Sequence, residues 1–439
     1  METRFIRVAV GATVVAFACA ECGSQETTGG LQPASVIAIY TTQHFRLHTD
    51  VAEPEARATL VAMEAALDFA VAHWKRPLRG QLECYLAENV VSWPADALPH
   101  PLARVWIGRI GGATVSEEVQ SSRDQGLQST IYASTGKGVA EHEVIHAYCC
   151  QSFGATGPDW YKEGMAAVAC YAVGYQPGVR CPADFVSILR KRPAVRLQDI
   201  VQAGPFTQST AVSLNLMLAQ RVDPTRPVLL TGLTPLTTEG LSEMRQSYAR
   251  SWALCYFLFN NPNYSPRFRR LSEQYVVRQR EAFSNLFGPV GEQLAFEFNE
   301  FLQHVDVGYR VDLCCWEWNR RFLTLQQHSP VSRRVEAARG YQATGLMVES
   351  GKKYTCKTVG QWSIGGDAEL VGADGAADGS GRLVGVVFNQ HRLTAPVELG
   401  VETTFTAPAT GKLYARCRDA WHQLDDNTGS VRVEFFGAR

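Results

Sequence analysis

The sequence predicts an α+β chain in two folded parts: a small N-terminal sheet with a helical lobe, then an all-β sandwich. Length is the first observation, because 439 residues exceed the roughly 250–300 at which one hydrophobic core stops growing. The second is helical apolar spacing over much of the first three hundred or so residues. The third is a change near Ser329, after which alternating apolar runs such as GKKYTCKTVGQW and GRLVGVVF are separated by Gly and Asp clusters, the pattern of short strands and turns. The two parts are therefore expected at 37–325 and 330–439.

Taken in order, Met1–Arg7 carries Arg4 and Arg7 against one acid, and Val8–Ala20 is an apolar run ending in small residues. Residues 1–20 read as a secretory signal peptide: the run is too short to span a bilayer, and Ala18-Cys19-Ala20 offers a cleavage site before Glu21. Lipid attachment at Cys19 or Cys22 is the alternative, although both lack a leucine three residues upstream. Residues 21–36 form a polar linker. A secreted or periplasmic protein is expected, and no later stretch is apolar for long enough to be a transmembrane segment.

His44–Thr49 alternates as a strand, and a helix is expected from Pro54, with Leu60, Met63, Leu67, Val71 and Trp74 on one face. Gln81–Ala87 reads as a second strand and, after a Pro-containing loop, Ser129–Thr135 as a third. Helices follow over Gly138–Phe153 and Pro158–Val173. From Gly174 to about Thr238 the pattern is irregular, with short helical pieces near Phe185–Arg192 and Leu197–Ala203, after which helices run from Leu241 towards Phe322.

The 42 basic and 43 acidic side chains nearly cancel, for a formal net charge of -1, and 46% of residues are hydrophobic. That excludes a nucleic-acid binder working by bulk charge, and a disordered chain. Of twelve cysteines, two lie in or beside the leader. The rest contain no C-x-x-C pair, so disulfides with some buried thiols are the expectation. Cys149 or Cys150 with Cys170, and Cys356 with Cys417, are the suggested pairs, from the expected closeness of their elements.

His142-Glu143-Val144-Ile145-His146 is an H-E-x-x-H motif in a helical segment. Residues four apart share a face, so both imidazoles can reach one zinc ion, and Glu143 sits beside the water that such an ion activates. A chance occurrence in a chain of this length has odds on the order of one in a hundred. Two solvated helix histidines are the plainer reading, but Val144, Ile145 and Ala147 make the helix apolar, and buried His and Glu require partners. A catalytic zinc takes three protein ligands. Glu163, in Asp159-Trp160-Tyr161-Lys162-Glu163-Gly164, follows His146 by sixteen intervening residues, a spacing that a short turn between antiparallel helices converts into contact. Alone it would read as a dipole partner at a helix start.

H-E-x-x-H-A-Y followed by W-Y-x-E-G-x-A resembles the gluzincin metallopeptidases, and more closely the bacterial branch called peptidase MA-like or M1-like, over roughly residues 40–320. The resemblance implies a thermolysin-like domain, zinc on His142, His146 and Glu163, Glu143 as general base, and a peptide or protein substrate. The clan also uses a tyrosine on a later helix to stabilise the oxyanion; Ser247-Tyr248-Ala249-Arg250-Ser251-Trp252 is similar, pointing to Tyr248, with a packing aromatic as the plainer reading. Aminopeptidases of the clan carry G-x-M-E-N before the zinc helix, whereas this chain has Gly126-Leu127-Gln128-Ser129-Thr130-Ile131-Tyr132, without a carboxylate for a substrate ammonium. An endopeptidase is therefore favoured, with Ser129–Thr135 expected to pair with an extended substrate.

Gly340–Gly345, Gly360–Trp362 and Phe405–Tyr414 resemble the calcium-dependent galactose-binding lectin β-sandwich. In that fold Asp419, the Gln423 carbonyl, Asp426 and Asn427 would hold calcium; on composition alone, the loop suits either a hard cation or an Asx-rich turn. Trp421 and His422 are candidates for stacking on a sugar. The alternative function is a non-catalytic surface carbohydrate-binding or adhesion protein with a peptidase-like scaffold.

Overall fold

The computed structural model describes residues 13–16, 36–120, 125–172, 177–191, 195–202, 238–277, 282–325, 330–366 and 369–437. The expected leader except 13–16, nearly all of the linker, and residues 203–237 of the irregular stretch lie outside the described residues. The chain is mixed α and β and divides into two compact units, Met1–Gln176 with Leu197–Tyr256 and Phe268–Phe283, and Pro177–Arg196 with Phe257–Arg267 and Ser284–Arg439.

The first unit is built on a six-stranded sheet, β1 (Thr13–Ala16), β2 (Ala38–Thr41), β3 (Phe45–Thr49), β4 (Leu82–Ala87), β5 (Gly111–Gln120) and β6 (Gln125–Ser134), in the order β1-β5-β6-β4-β3-β2. Alternation buries Phe45, Leu47 and Thr49 of β3 on one face. Helix α1 (Glu53–Trp74) crosses from β3 to the parallel β4, the crossover that parallel pairing needs. Glu53 and Glu55 suit its N-terminal dipole, and Lys75 closes it in the left-handed conformation, its N–H donating to Val71 O.

Two sequence expectations change here. β5 was read as loop, because its GGATVSEEVQ opens on glycines and ends on charges. β6 is not a free edge: it pairs with β4 on one side and β5 on the other, so its backbone groups are already satisfied and it cannot accept a peptide strand. On its other side β5 pairs with β1, Thr13–Ala16 running antiparallel opposite Gly111–Thr114.

Helices α2 (Val139–Phe153) and α3 (Asp159–Tyr171) follow, then α4 (Ala183–Lys191), α5 (Leu197–Val201), α6 (Thr238–Asn260), α7 (Ser265–Val276) and α8 (Gly291–His304). In the second unit, β7 (Val331–Glu336), β9 (Lys353–Ser363), β13 (Glu402–Thr406) and β15 (Thr428–Gly437) form a four-stranded sheet. Its partner sheet is built on β8 (Gln342–Val348), β10 (Leu383–Asn389) and β14 (Gly411–Cys417), with the short β11 (Arg392–Leu393) and β12 (Val397–Glu398) pairing with β10. Both contribute to one core, including Val335, Leu346, Trp362, Leu383, Leu413 and Val433, the arrangement of a sandwich. This unit is not confined to the residues after 329. Phe296 of α8 and Trp316 bury against Phe388 and Tyr414, so the helix assigned by its periodicity to the first part packs with the sandwich.

All ten described cysteines are free thiols, correcting the suggested pairs. Cys170 Sγ donates to Gly138 O at 3.2 Å and Cys356 Sγ to Leu399 O at 3.0 Å. Cys356 and Cys417 stand in opposite sheets of the sandwich, one on β9 and one on β14.

Glu297, on α8, anchors this unit. Its carboxylate accepts from Asn261 Nδ2, Asn263 Nδ2, Tyr264 Oη, the Trp316 N–H and Trp318 Nε1. Burial pushes its carboxyl up, and the donors pull it back. Glu297→Ala is expected to lower stability by about 3 kcal/mol or more, because it leaves several buried donors unpaired; Glu297→Gln is expected to lose less. Guanidinium unfolding measures both, and an alanine variant within ~0.5 kcal/mol of wild type would remove the assigned role.

Candidate metal centre

Helix α2 is buried around most of its circumference, as a helix must be when apolar residues occupy nearly every face. Gly138 precedes it at φ +83°, and Gly154 ends it at φ +83°, donating to Cys150 O. Inside this apolar cylinder His142 and Glu143 are fully buried and His146 is 1% exposed. The four-residue spacing sets the two imidazoles edge to face, their ring centroids 4.8 Å apart.

The turn after Gly154 sends α3 back beside α2. Glu163, in the second turn of α3, meets the histidines there: its Oε2 lies 3.1 Å from His142 Nε2 and 3.6 Å from His146 Nε2. One donor atom from each of the three residues falls within 4.8 Å of the others, and they are the one such cluster among the described residues. A tetrahedral ion with bonds of about 2.0–2.1 Å sets neighbouring donors about 3.3 Å apart, and the two distances from Glu163 to the histidines bracket that value. The donor set therefore fits a metal of zinc type.

A structural ion-pair network is the competing account, and an unpaired oxygen on Glu143 weighs against it. Burial alone would raise the Glu163 carboxyl, but His146, His142 and Lys162 beside it hold it below the usual carboxylate range. Burial pushes Glu143 well up, with the Glu163 charge adding to the effect and Thr114 opposing it. Glu143 Oε1 is buried with no hydrogen-bond partner. Such an orphan is costly unless a ligand or proton comes to it.

Two flanking residues, Thr114 and Gly112, gave no sequence signal, and others complete the surroundings. Thr114 of β5 donates its hydroxyl to Glu143 Oε2 at 2.8 Å. Gly112 permits the approach, since a Cβ there would come 2.8 Å from Val139 Cγ1 and 3.3 Å from Glu143 Cγ. Lys162 reaches both Asp159 Oδ1 (2.7 Å) and the second oxygen of Glu163 (3.7 Å). Gly164 allows α6 to close on α3: a Cβ would stand 2.5 Å from both Cys255 Sγ and Ser251 O. That approach brings Tyr248, one turn earlier on α6, to a ring distance of 6.3 Å from His142. Burial and the charges of Glu163 and Glu143 push the Tyr248 phenol well up, so it remains a proton donor.

The tail residues are brought together in part. Asn427 Nδ2 donates to Asp419 Oδ2 at 2.9 Å, while its Oδ1 accepts from the Gly365 N–H. Burial and the charges of Asp419 and Asp425 raise the exposed Asp426 carboxyl. Gln423 is exposed at the start of the turn, its N–H donating to Ala420 O. Trp421 is not open for stacking: His304 lies against it at 4.6 Å and the Arg416 guanidinium at 3.8 Å, which corrects the expectation that it receives a sugar. Among the described residues no helix is long and apolar enough to cross a membrane.

No family model and no curated protein matches the chain. Among solved structures it is similar to the N-terminal domain of EclA, a PllA-like lectin, with 21% identity, TM-score 0.21, and coverage of 24% of this chain and 95% of that one. It is also similar to PliG of Aeromonas hydrophila, a periplasmic inhibitor of g-type lysozyme, with 12% identity, TM-score 0.16, and coverage of 26% and 96%.

Lys162 steers the oxygen of Glu163 that faces away from the histidines, so Lys162→Met is expected to weaken zinc retention about 10–100-fold, the range for residues that orient ligands. Competition with a chromophoric chelator reads this directly. Wild-type affinity in the variant would reduce Lys162 to a helix-surface partner of Asp159.

Proposed function

We propose that this chain is an exported zinc-dependent peptidase of gluzincin type, thermolysin-like in its N-terminal unit, whose β-sandwich binds calcium and carbohydrate. The observation that carries the reading is the convergence of His142, His146 and Glu163 beside a glutamate whose Oε1 is buried without a hydrogen bond. When bound, zinc supplies Lewis acidity, polarising the scissile carbonyl and making the attacking water more acidic.

The chain's own residues do the rest. Glu143 accepts the proton of the attacking water and passes it to the departing amine nitrogen. Tyr248 donates its phenolic proton in a hydrogen bond to the developing oxyanion. Gly111–Val115, the half of β5 that borders Glu143, has no carboxylate to hold a terminal ammonium, and Glu117 and Glu118 further along are exposed. This supports an endopeptidase over an aminopeptidase.

In the tail, Asp419, the Gln423 carbonyl, Asp426 and Asn427 are the proposed oxygen ligands for calcium. The crowding of the Asp419, Asp425 and Asp426 carboxylates, which raises Asp426, supports a cation there.

Glu143→Gln is expected to keep stoichiometric zinc and lose at least about 100-fold in hydrolysis of labelled casein. Wild-type protein that holds zinc yet cleaves no peptide pool would favour the non-catalytic carbohydrate-binding or adhesion alternative. For the tail, calcium-dependent retention on a galactose resin is expected, and Asp426→Ala should abolish it; absence of binding across a broad glycan panel leaves the loop an Asx-rich turn.

A further inference from the structure

We infer that Thr114 is a positioning residue for Glu143, holding one carboxylate oxygen so that the other alone is presented to the reacting water; this rests on the peptidase reading above. The sequence draws attention to Glu143 and passes over Thr114, which lies twenty-nine residues earlier on a strand that reads as loop.

The two carboxylate oxygens of Glu143 have different surroundings. Oε2 accepts from Thr114 Oγ1 at 2.8 Å, whereas Oε1 is buried and accepts from nothing. Thr114 Oγ1 also lies 3.1 Å from the Glu143 main-chain oxygen. A hydroxyl has one proton, and the charged carboxylate competes for it better than a helix carbonyl already serving its own turn. Thr114 is 1% exposed, so no water stands ready to replace it. Its β-branched side chain has few rotamers in a strand, which fixes the direction of the bond.

The strand is also brought unusually close. A Cβ at Gly112 would meet Tyr132 O at 3.0 Å and Glu143 Cγ at 3.3 Å, so only glycine lets β5 approach α2 at this depth. Two residues along the same strand, the alternation returns Thr114 to the same face. Close approach and hydroxyl together tether a flexible side chain that otherwise has rotamer freedom. A general base works when it is within hydrogen-bond reach of its proton in one orientation.

The test compares wild type with Thr114→Val and Thr114→Ser. Valine keeps the shape and strand propensity and removes the donor; serine returns the donor. Zinc content, thermal unfolding, and kcat and KM on labelled casein are measured for each. The expected result is a fall in kcat of about 10-fold or more in Thr114→Val, with KM and zinc content near wild type, and most of the loss recovered in Thr114→Ser. A fall in kcat that serine fails to recover, or one that tracks loss of zinc or of melting temperature, identifies a packing role and overturns the inference. Wild-type kcat in Thr114→Val also overturns it while leaving the peptidase reading intact. Zinc-loaded wild type that cleaves nothing removes the peptidase reading and this inference together.

Discussion

Two imidazoles and two carboxylates share a space within a pair of antiparallel helices from which solvent is nearly absent, and the rest of the N-terminal unit is arranged to make that tolerable. An isolated buried charge costs several kcal/mol, so each group must meet a partner. Glu163 does so through His142, His146 and Lys162. Glu143 does so on one side only, through Thr114. The contrast with Glu297 in the second unit is informative. That carboxylate is surrounded by five donors and holds together a helix and the segments around it. A glutamate with every lone pair committed is a structural anchor; one with an oxygen left over carries an unmet hydrogen-bonding demand.

The arrangement depends on two places where a side chain has been given up. Gly112 lets a strand press onto α2, and Gly164 lets α6 press onto α3. Each brings a polar side chain with it, Thr114 in the first case and Tyr248 in the second. The glycine after the glutamate in W-Y-x-E-G thus has a steric reason: a methyl group there would collide with main chain at Ser251, which cannot rotate away. Function at this site is assembled from backbone proximity as much as from reactive side chains.

The second unit follows a different logic. Its two sheets share one apolar core, and an aromatic cluster around Trp316 joins Phe296 of α8 to the outer face of one sheet. The Asp419–Asn427 turn sits at the edge of this framework, with Arg416 buried beneath Trp421. Packing Trp421 between a guanidinium and an imidazole stabilises the turn through cation–π contact and removes the indole from recognition.

Much of this was legible in the sequence wherever the signal is local. The helical period predicted α1, α2 and α3 within a few residues, because hydrogen bonding and face burial act over one or two turns. The H-E-x-x-H spacing located the histidine pair for the same reason, and the short turn rich in glycine indicated that Glu163 would return to it. What the sequence by itself determined, then, is the identity of the clustered groups and the helices that carry them. Only the tertiary structure decided that β6 is an inner strand, that Thr114 reaches Glu143, that α8 packs with the sandwich, and that Trp421 is covered. These are contacts between segments far apart in the chain, set by how strands pair and helices approach. A glycine-led strand or an isolated threonine carries no periodicity from which such a contact can be read.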